Sequence, residues 1–310
     1  MLILYFFYTF APKNHGHSIP NSQHETKMIG IFDSGYGGLT ILNEIRKVLP
    51  EYNYLYLGDN ARAPYGTRSF DVIYEYTLQA VNYLYQQGCN LIILACNTAS
   101  AKALRTIQQR DIDPNRLRVL GVIRPTAEYV PLITQTGHIG VLATPGTVTS
   151  ESYVIELQKQ NPQLVVTQQA CPMWVPLIES GEHMNEGANY FVEKYLTELL
   201  TQDPKIDTII LGCTHYPLLQ SKVEEFLKIY ENTQLPVQNS KFKIISQGEI
   251  VANSLQDYLL RHPDIAERAR DNSIPLIQNS KFLTTESATK FAESASLFLA
   301  EPIQAQHIEL

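Results

Sequence analysis

Two thiols carry the chemistry that can be read from this chain. Cys96 closes the apolar run in residues 91–100, LIILACNTAS, and Cys213 closes the run in residues 208–217, TIILGCTHYP. Each cysteine is followed at the next or second position by a threonine. The apolar blocks predict buried strands, each ending in a thiol. Ligands of parallel α/β sheets collect beyond the carboxyl ends of the strands, where loops and helix amino termini converge. A helix amino terminus favours the thiolate, so both thiols are expected to be more reactive than a free cysteine. Asn97 and Thr98 add polar groups beside one, Thr214 and His215 beside the other. A lone cysteine at a strand end is equally well explained as a small hydrophobe, but two in matching positions call for more. Cys89 and Cys171 have no such surroundings and read as structural.

Two thiols facing one cavity from opposite sides suit the removal of a proton from one face of a carbon and its return to the other. A proton alpha to a carboxylate is weakly acidic, so such a site must also position its bases and stabilise the developing charge. Backbone N–H groups and hydroxyls can supply this. No lysine stands in a pyridoxal-binding context, which favours direct abstraction without a cofactor.

Other candidates are less specific. The turn Gly35-Tyr36-Gly37-Gly38 follows an apolar run but lacks GxGxxG spacing, and Asp33-Ser34 before it would repel a pyrophosphate. A plain tight turn and a small-ligand site built on backbone N–H groups both fit. Asp33 also fits a helix cap. His215 reads either as a partly buried histidine or as a partner of Cys213, and Glu179, before Ser180-Gly181, reads by pattern as a solvated loop carboxylate.

The elements that must position these groups alternate along the chain. From Met28 onward, apolar runs at residues 29–32, 54–57, 91–95, 119–123 and 138–143 are separated by helical periodicity, such as Phe70, Ile73, Thr77, Val81 and Leu84. This is the pattern of an α/β fold with mainly parallel sheets. An echo runs through it: 67 residues separate Ile29 from Cys96, and 74 separate Ile139 from Cys213. Two pseudo-symmetric α/β domains are expected, each contributing one thiol to a site between them. Residues 28–123 with 235–300 would form the first and 124–234 the second. Strands are expected at residues 242–245 and 281–284, both completing the first sheet, with an irregular stretch at 231–241 and a tail at 301–310. Residues 1–27 read as a disordered leader or as the product of a start codon assigned too far upstream.

Composition narrows the function. The 310 residues are 44% apolar and 18% charged, as in a soluble globular protein. A net charge of -7 without clustered Lys and Arg argues against nucleic-acid and anionic-membrane partners and leaves small molecules. The four cysteines include no CxxC pair, which argues against structural zinc, and a chain of this size needs no disulfide staple. A reduced cytoplasm fits best, with no metal.

Six motifs occur together and in order: IGIFDSGYGGLTIL from Ile29, LGDNARAPYG from Leu57, LACNTAS from Leu94, GVLATPGTVTS from Gly140, CPMWVPLIESG from Cys171 and LGCTHYPLL from Leu211. Over about residues 28–299 the chain resembles the cofactor-independent glutamate racemases of the aspartate/glutamate racemase superfamily. The resemblance implies interconversion of L- and D-glutamate, with Cys96 and Cys213 as the acid/base pair, Asp33 assisting near Cys96, and Glu179 and His215 assisting near Cys213. By the same resemblance Asp33, Ser34, Pro64, Tyr65, Gly66, Asn97, Thr98, Thr144, Thr147, Thr214 and His215 stand with the two cysteines at positions that hold the substrate. It further implies a supply of D-glutamate for peptidoglycan and, in most members, a homodimer. Some members take a cell-wall nucleotide precursor as activator, and the motifs carry no decisive mark for or against one.

The chain departs from the family pattern at Thr126, where Gly is frequent, at Ser246-Gln247-Gly248, which replaces an Asp-containing turn, and at Glu286-Ser287, which replaces Gly-Asp.

Overall fold

The structure, a computed structural model, describes residues 27–234, 242–270 and 280–310. The leader expected at residues 1–27 lies outside these, Lys27 apart.

The described residues form strands β1 Ile29–Asp33, β2 Tyr54–Gly58, β3 Leu91–Leu94, β4 Arg118–Gly121, β5 His138–Ala143, β6 Val165–Ala170, β7 Thr208–Gly212, β8 Lys243–Ile245, β9 Ser280–Thr284 and β10 Ala305–His307. One sheet has the order β10-β9-β2-β1-β3-β4, the other β6-β5-β7-β8, and every pairing is parallel. Every residue of β1, β2, β3 and β7 is buried. This is why these strands read as unbroken apolar blocks rather than alternating ones: helices cover both faces of a parallel sheet.

The two halves repeat one topology. The order β2-β1-β3-β4 of the first sheet matches β6-β5-β7-β8 of the second, strand for strand. Chain order reverses between β1 and β3, and again between β5 and β7, and such switch points open a crevice at the strands' carboxyl ends. Cys96 follows β3 and Cys213 follows β7, so the thiols hold equivalent positions in the two halves.

Three expectations are corrected. The strand expected at residues 242–245 to complete the first sheet is β8, and it pairs with β7 in the second. The connection from β7 through helix Gln220–Gln234 returns beside its own starting strand, as the one from β3 to β4 does. Residues 231–234, expected to be irregular, belong to that helix, and 235–241 lie outside the described residues. The first sheet is completed by β9 and then by β10, so residues 301–310 are no loose tail: β10 pairs with β9, and Ile308 packs into the core beneath.

Helix Gly38–Val48 turns Leu39, Ile41, Leu42 and Ile45 to the core and packs against helix Gly248–Arg261. Burying each such side chain stabilises the fold by about 1.5–3 kcal/mol. These contacts fix the orientation of the Gly35–Gly38 turn that leads into the site.

Candidate active site

The first thiol sits where β3 becomes helix Asn97–Lys102. Cys96 is the N-cap, and its Sγ accepts a hydrogen bond from the Ala99 N–H at 3.5 Å. Ser34 Oγ lies 3.4 Å from the same sulfur. The helix amino terminus and the neighbouring Asn97 and Thr98 were expected to make the thiol acidic, and burial works the other way. Burial, reinforced by the charge of Asp33, outweighs the Ser34 and Ala99 hydrogen bonds and pushes the Cys96 thiol up to about 12. At neutral pH Cys96 therefore rests as a protonated thiol.

Asp33 ends β1, the strand beside β3, and is fully buried. Its Oδ2 accepts from the Gly35 N–H at 2.9 Å, and its Oδ1 from Thr214 Oγ1 at 3.5 Å. Burial raises its carboxyl above the ordinary value, and the charge of His215 and the N–H groups of Gly35 and Gly38 only partly oppose this. The Gly-rich turn thus spends backbone donors on Asp33.

The second thiol differs in its setting. Cys213 follows β7, but the next element is a 3₁₀ turn, Tyr216–Leu219, with Pro217 in its first turn; helix Gln220–Gln234 begins only afterwards. The α-helix amino terminus expected at Cys213 is absent, and a side chain takes its place. His215 Nδ1 lies 3.8 Å from Cys213 Sγ, and His215 Nε2 lies 3.0 Å from Glu179 Oε1. Burial disfavours charge on this imidazole, yet the bonds to Cys213 and Glu179 prevail and push its pKa up to about 10. His215 is therefore an imidazolium at neutral pH, donating from both nitrogens.

Glu179 reaches this place through aromatic packing. It is the last residue of helix Trp174–Glu179, whose buried Trp174 meets Tyr216 edge-on with centroids 4.7 Å apart. The Tyr216 hydroxyl donates to the Cys171 carbonyl at 3.1 Å. The segment bearing Cys213 and the helix bearing Glu179 are thus pinned together.

The halves meet through polar side chains. Thr98 Oγ1 is 3.0 Å from Thr144 Oγ1 and 3.4 Å from Thr147 Oγ1, and the two second-half hydroxyls are 3.1 Å apart. Thr144 also caps helix Pro145–Thr149. The Gly146 N–H donates to the Gly66 carbonyl at 2.7 Å, and Thr40 Oγ1 donates to the Thr214 carbonyl at 3.0 Å. Close approach at this seam depends on Gly37: a Cβ there would lie 2.7 Å from His215 Cε1 and closer still to His215 Nδ1 and Thr214 Oγ1.

Cys96, Asp33, Ser34, Asn97, Thr98, Thr144, Thr147, Cys213, Thr214, His215 and Glu179 are thus brought to one seam. The 64–66 loop reaches it mainly through backbone. The Tyr65 hydroxyl is committed to Asp59 Oδ2, the Gly66 carbonyl meets Gly146, and Pro64, after a cis peptide bond, is exposed. Cys89 and Cys171 are buried, and all four cysteines are free. Residues not proposed for the site from the sequence also border it: Thr40, Tyr153 and Gln247, the last two bonded to the Asn97 side chain. The signal that could have found Gln247 is its place in a turn departing from the family pattern.

Comparison with known proteins agrees with this architecture. The profile of the Asp/Glu/hydantoin racemase family matches residues 39–239. A glutamate racemase of Streptococcus gordonii is 37% identical over 287 residues, covering 92% of this chain and all of that protein. The crystal structure of glutamate racemase isoform RacE1 from Bacillus anthracis superposes with a TM-score of 0.79 at 34% identity, covering 93% of this chain and 99% of that one. Escherichia coli glutamate racemase in complex with L-glutamate and the activator UDP-MurNAc-Ala superposes with a TM-score of 0.67 at 26% identity, covering 90% and 97%. The chain belongs to the Asp/Glu/hydantoin racemase family and, within it, groups with the glutamate racemases.

Proposed function

We propose that this racemase interconverts L- and D-glutamate by moving the α-proton between Cys96 and Cys213. The observation that carries the proposal is the equivalence of the two thiols: each ends the third strand of the same four-strand pattern, and their neighbours meet at one seam.

In one direction Cys213 acts as base, its thiolate stabilised by the His215 imidazolium, which Glu179 orients. The α C–H bond breaks toward that sulfur, and the electron pair passes into the substrate's α-carboxylate. The Cys96 S–H, held as a thiol by burial, then delivers its proton to the opposite face and leaves a thiolate that Ser34 and the Ala99 N–H stabilise. The product has the other hand, one thiol has gained a proton and the other has lost one. The reverse reaction exchanges the roles.

Hydroxyls and amides of Ser34, Asn97, Thr98, Thr144, Thr147 and Thr214, with the backbone of residues 64–66, would hold the carboxylates and ammonium. Donors preorganised in a buried site stabilise developing charge more than water does. The scheme calls for no cofactor. Its physiological setting would be a cytoplasmic homodimer supplying D-glutamate for peptidoglycan, with a cell-wall nucleotide precursor as a candidate activator.

The test is circular dichroism of L-glutamate incubated with purified, reduced protein, with and without such a nucleotide and with L-aspartate in parallel. Decay of the glutamate signal to zero, abolished in Cys96→Ala and in Cys213→Ala, is the expected result. Activity surviving in either variant would overturn the two-thiol scheme, and decay of aspartate alone would overturn the substrate.

A further inference from the structure

The Asn97 side chain, next to Cys96, is held by a closed ring of buried hydrogen bonds. Asn97 Nδ2 donates to Gln247 Oε1 at 2.8 Å. Gln247 Nε2 donates to the Tyr153 hydroxyl at 2.7 Å, and that hydroxyl donates to Asn97 Oδ1 at 2.7 Å. The remaining Gln247 hydrogen goes to Thr126 Oγ1 at 3.0 Å and to the Val122 carbonyl at 3.2 Å, while Thr126 donates to that same carbonyl at 3.1 Å. Asn97, Thr126, Tyr153 and Gln247 are each no more than 2% exposed, so water cannot stand in for a lost partner.

This accounting leaves the Asn97 amide one orientation. Tyr153 accepts from Gln247 and so donates to Asn97, whose oxygen must face Tyr153 and whose nitrogen must face Gln247. The ring draws on both halves. Asn97 starts the helix after β3, Tyr153 lies in helix Ser152–Gln160 of the second half, and Gln247 precedes helix Gly248–Arg261. Val122 and Thr126 lie where the chain passes from β4 toward β5. Thr126 and Gln247, two departures from the family pattern far apart in sequence, are bonded to each other.

We infer that Gln247 is a positioning residue for the Cys96 side of the reaction, fixing the Asn97 amide and tying it to the junction between the halves. This rests on the two-thiol scheme and adds to it a direction-specific requirement. The α-hydrogen of each enantiomer is taken by one thiol only, so a deuterium label there reports on that thiol's step. A loosened Asn97 raises the barrier at the Cys96 step, so the primary isotope effect rises for the enantiomer that Cys96 deprotonates and falls for the other, whose labelled step at Cys213 becomes less rate-limiting. A merely structural loss moves both alike.

The experiment compares kcat, KM and α-deuterium isotope effects for L- and D-glutamate in wild type, Gln247→Leu, Tyr153→Phe and Thr126→Val. In Gln247→Leu, kcat/KM is expected to fall roughly tenfold to a hundredfold, the cost of a misplaced reactive group. The fall is equal in both directions because the two enantiomers have equal free energy, but the isotope effect rises in one direction only. Tyr153→Phe, which deletes one hydroxyl, should reproduce this pattern and makes the same test should Gln247→Leu not fold. Thr126→Val leaves the Asn97 ring closed and should keep wild-type isotope effects. Unchanged kinetics in both ring variants, a symmetric rise in both isotope effects, or a Thr126→Val variant as skewed as Gln247→Leu would overturn the inference. A wild-type protein inert toward glutamate would overturn the underlying reading instead.

Discussion

Gly37 of the first half lies against His215 of the second with no room for a side chain between them, as a Cβ at Gly37 would fall 2.7 Å from His215 Cε1 and closer to Nδ1. Such a separation forces one partner to move. Gly37→Ala is therefore expected to displace His215 from Cys213 and lower kcat/KM by about a hundredfold. The far-UV circular dichroism should remain that of wild type. Steady-state kinetics beside a melting curve check this, and near-normal activity would show that the seam yields without cost.

The proton on His215 depends on Glu179. In Glu179→Gln the imidazole keeps its burial and loses the carboxylate, so its pKa falls from about 10. The alkaline limb of the activity profile should move to lower pH, and the titration of the His215 ring in NMR should move with it. The raised pKa also bears on stability. This contribution is fully present below the ordinary value of 6.5 and is lost as pH rises through about 10. Melting temperatures of wild type and variant should therefore differ at neutral pH and converge under alkaline conditions.

Cys96 should be a slow nucleophile in the ligand-free protein. With its pKa near 12, the thiolate is roughly one part in ten thousand at pH 8. Alkylation by iodoacetamide, followed by mass spectrometry of the Cys96 peptide, should lag well behind a free thiol and accelerate as pH rises above 9. Rapid labelling at pH 7 would contradict the protonated resting state.

Asp207, just before β7, is a purely structural anchor. It accepts from Thr134 Oγ1 at 2.7 Å, from the N–H groups of Gln135 at 2.6 Å and Thr136 at 2.9 Å, and from Thr208 Oγ1 at 2.8 Å. Burial acts against its charge, but these donors prevail and hold its pKa below the ordinary 3.8. The stabilisation is present above that value and lost as pH falls through the lower, folded one. Asp207→Ala should cost about 2–4 kcal/mol in denaturant unfolding at neutral pH, with a smaller difference in acid.

What the sequence makes legible divides along physical lines. The Cys96 and Cys213 strands were legible because strands buried on both faces are written as continuous apolar blocks. Their equivalence was legible because the interval between first strand and thiol nearly repeats. Glu179 was not legible from its own pattern, since its placement depends on Trp174 meeting Tyr216, a contact between residues distant in sequence. Gln247 escaped because a glutamine in a turn has no periodicity, and only its four buried partners give it meaning. The three-residue β8 is legible as a strand but not its sheet, because so short a run does not say which neighbour it will pair with. The thiol pKa was misjudged because spacing reveals a helix start and says nothing of how deeply it is buried.

The repeated strand order has a consequence for how successive turnovers are linked. The duplicated frame carries two equivalent sulfurs, but the dressing of the sulfurs differs: a hydroxyl and a backbone N–H on one side, an imidazole on the other. On the proposed chemistry, each event leaves the labile hydrogen on the opposite sulfur from where it began. The vacated protein is then loaded for the hand it has just released and not for the hand it has just consumed. Before it can act again in the same sense, a hydrogen must pass back between the sulfurs through solvent. On that chemistry the protein keeps a record of its last substrate until the hydrogen has returned.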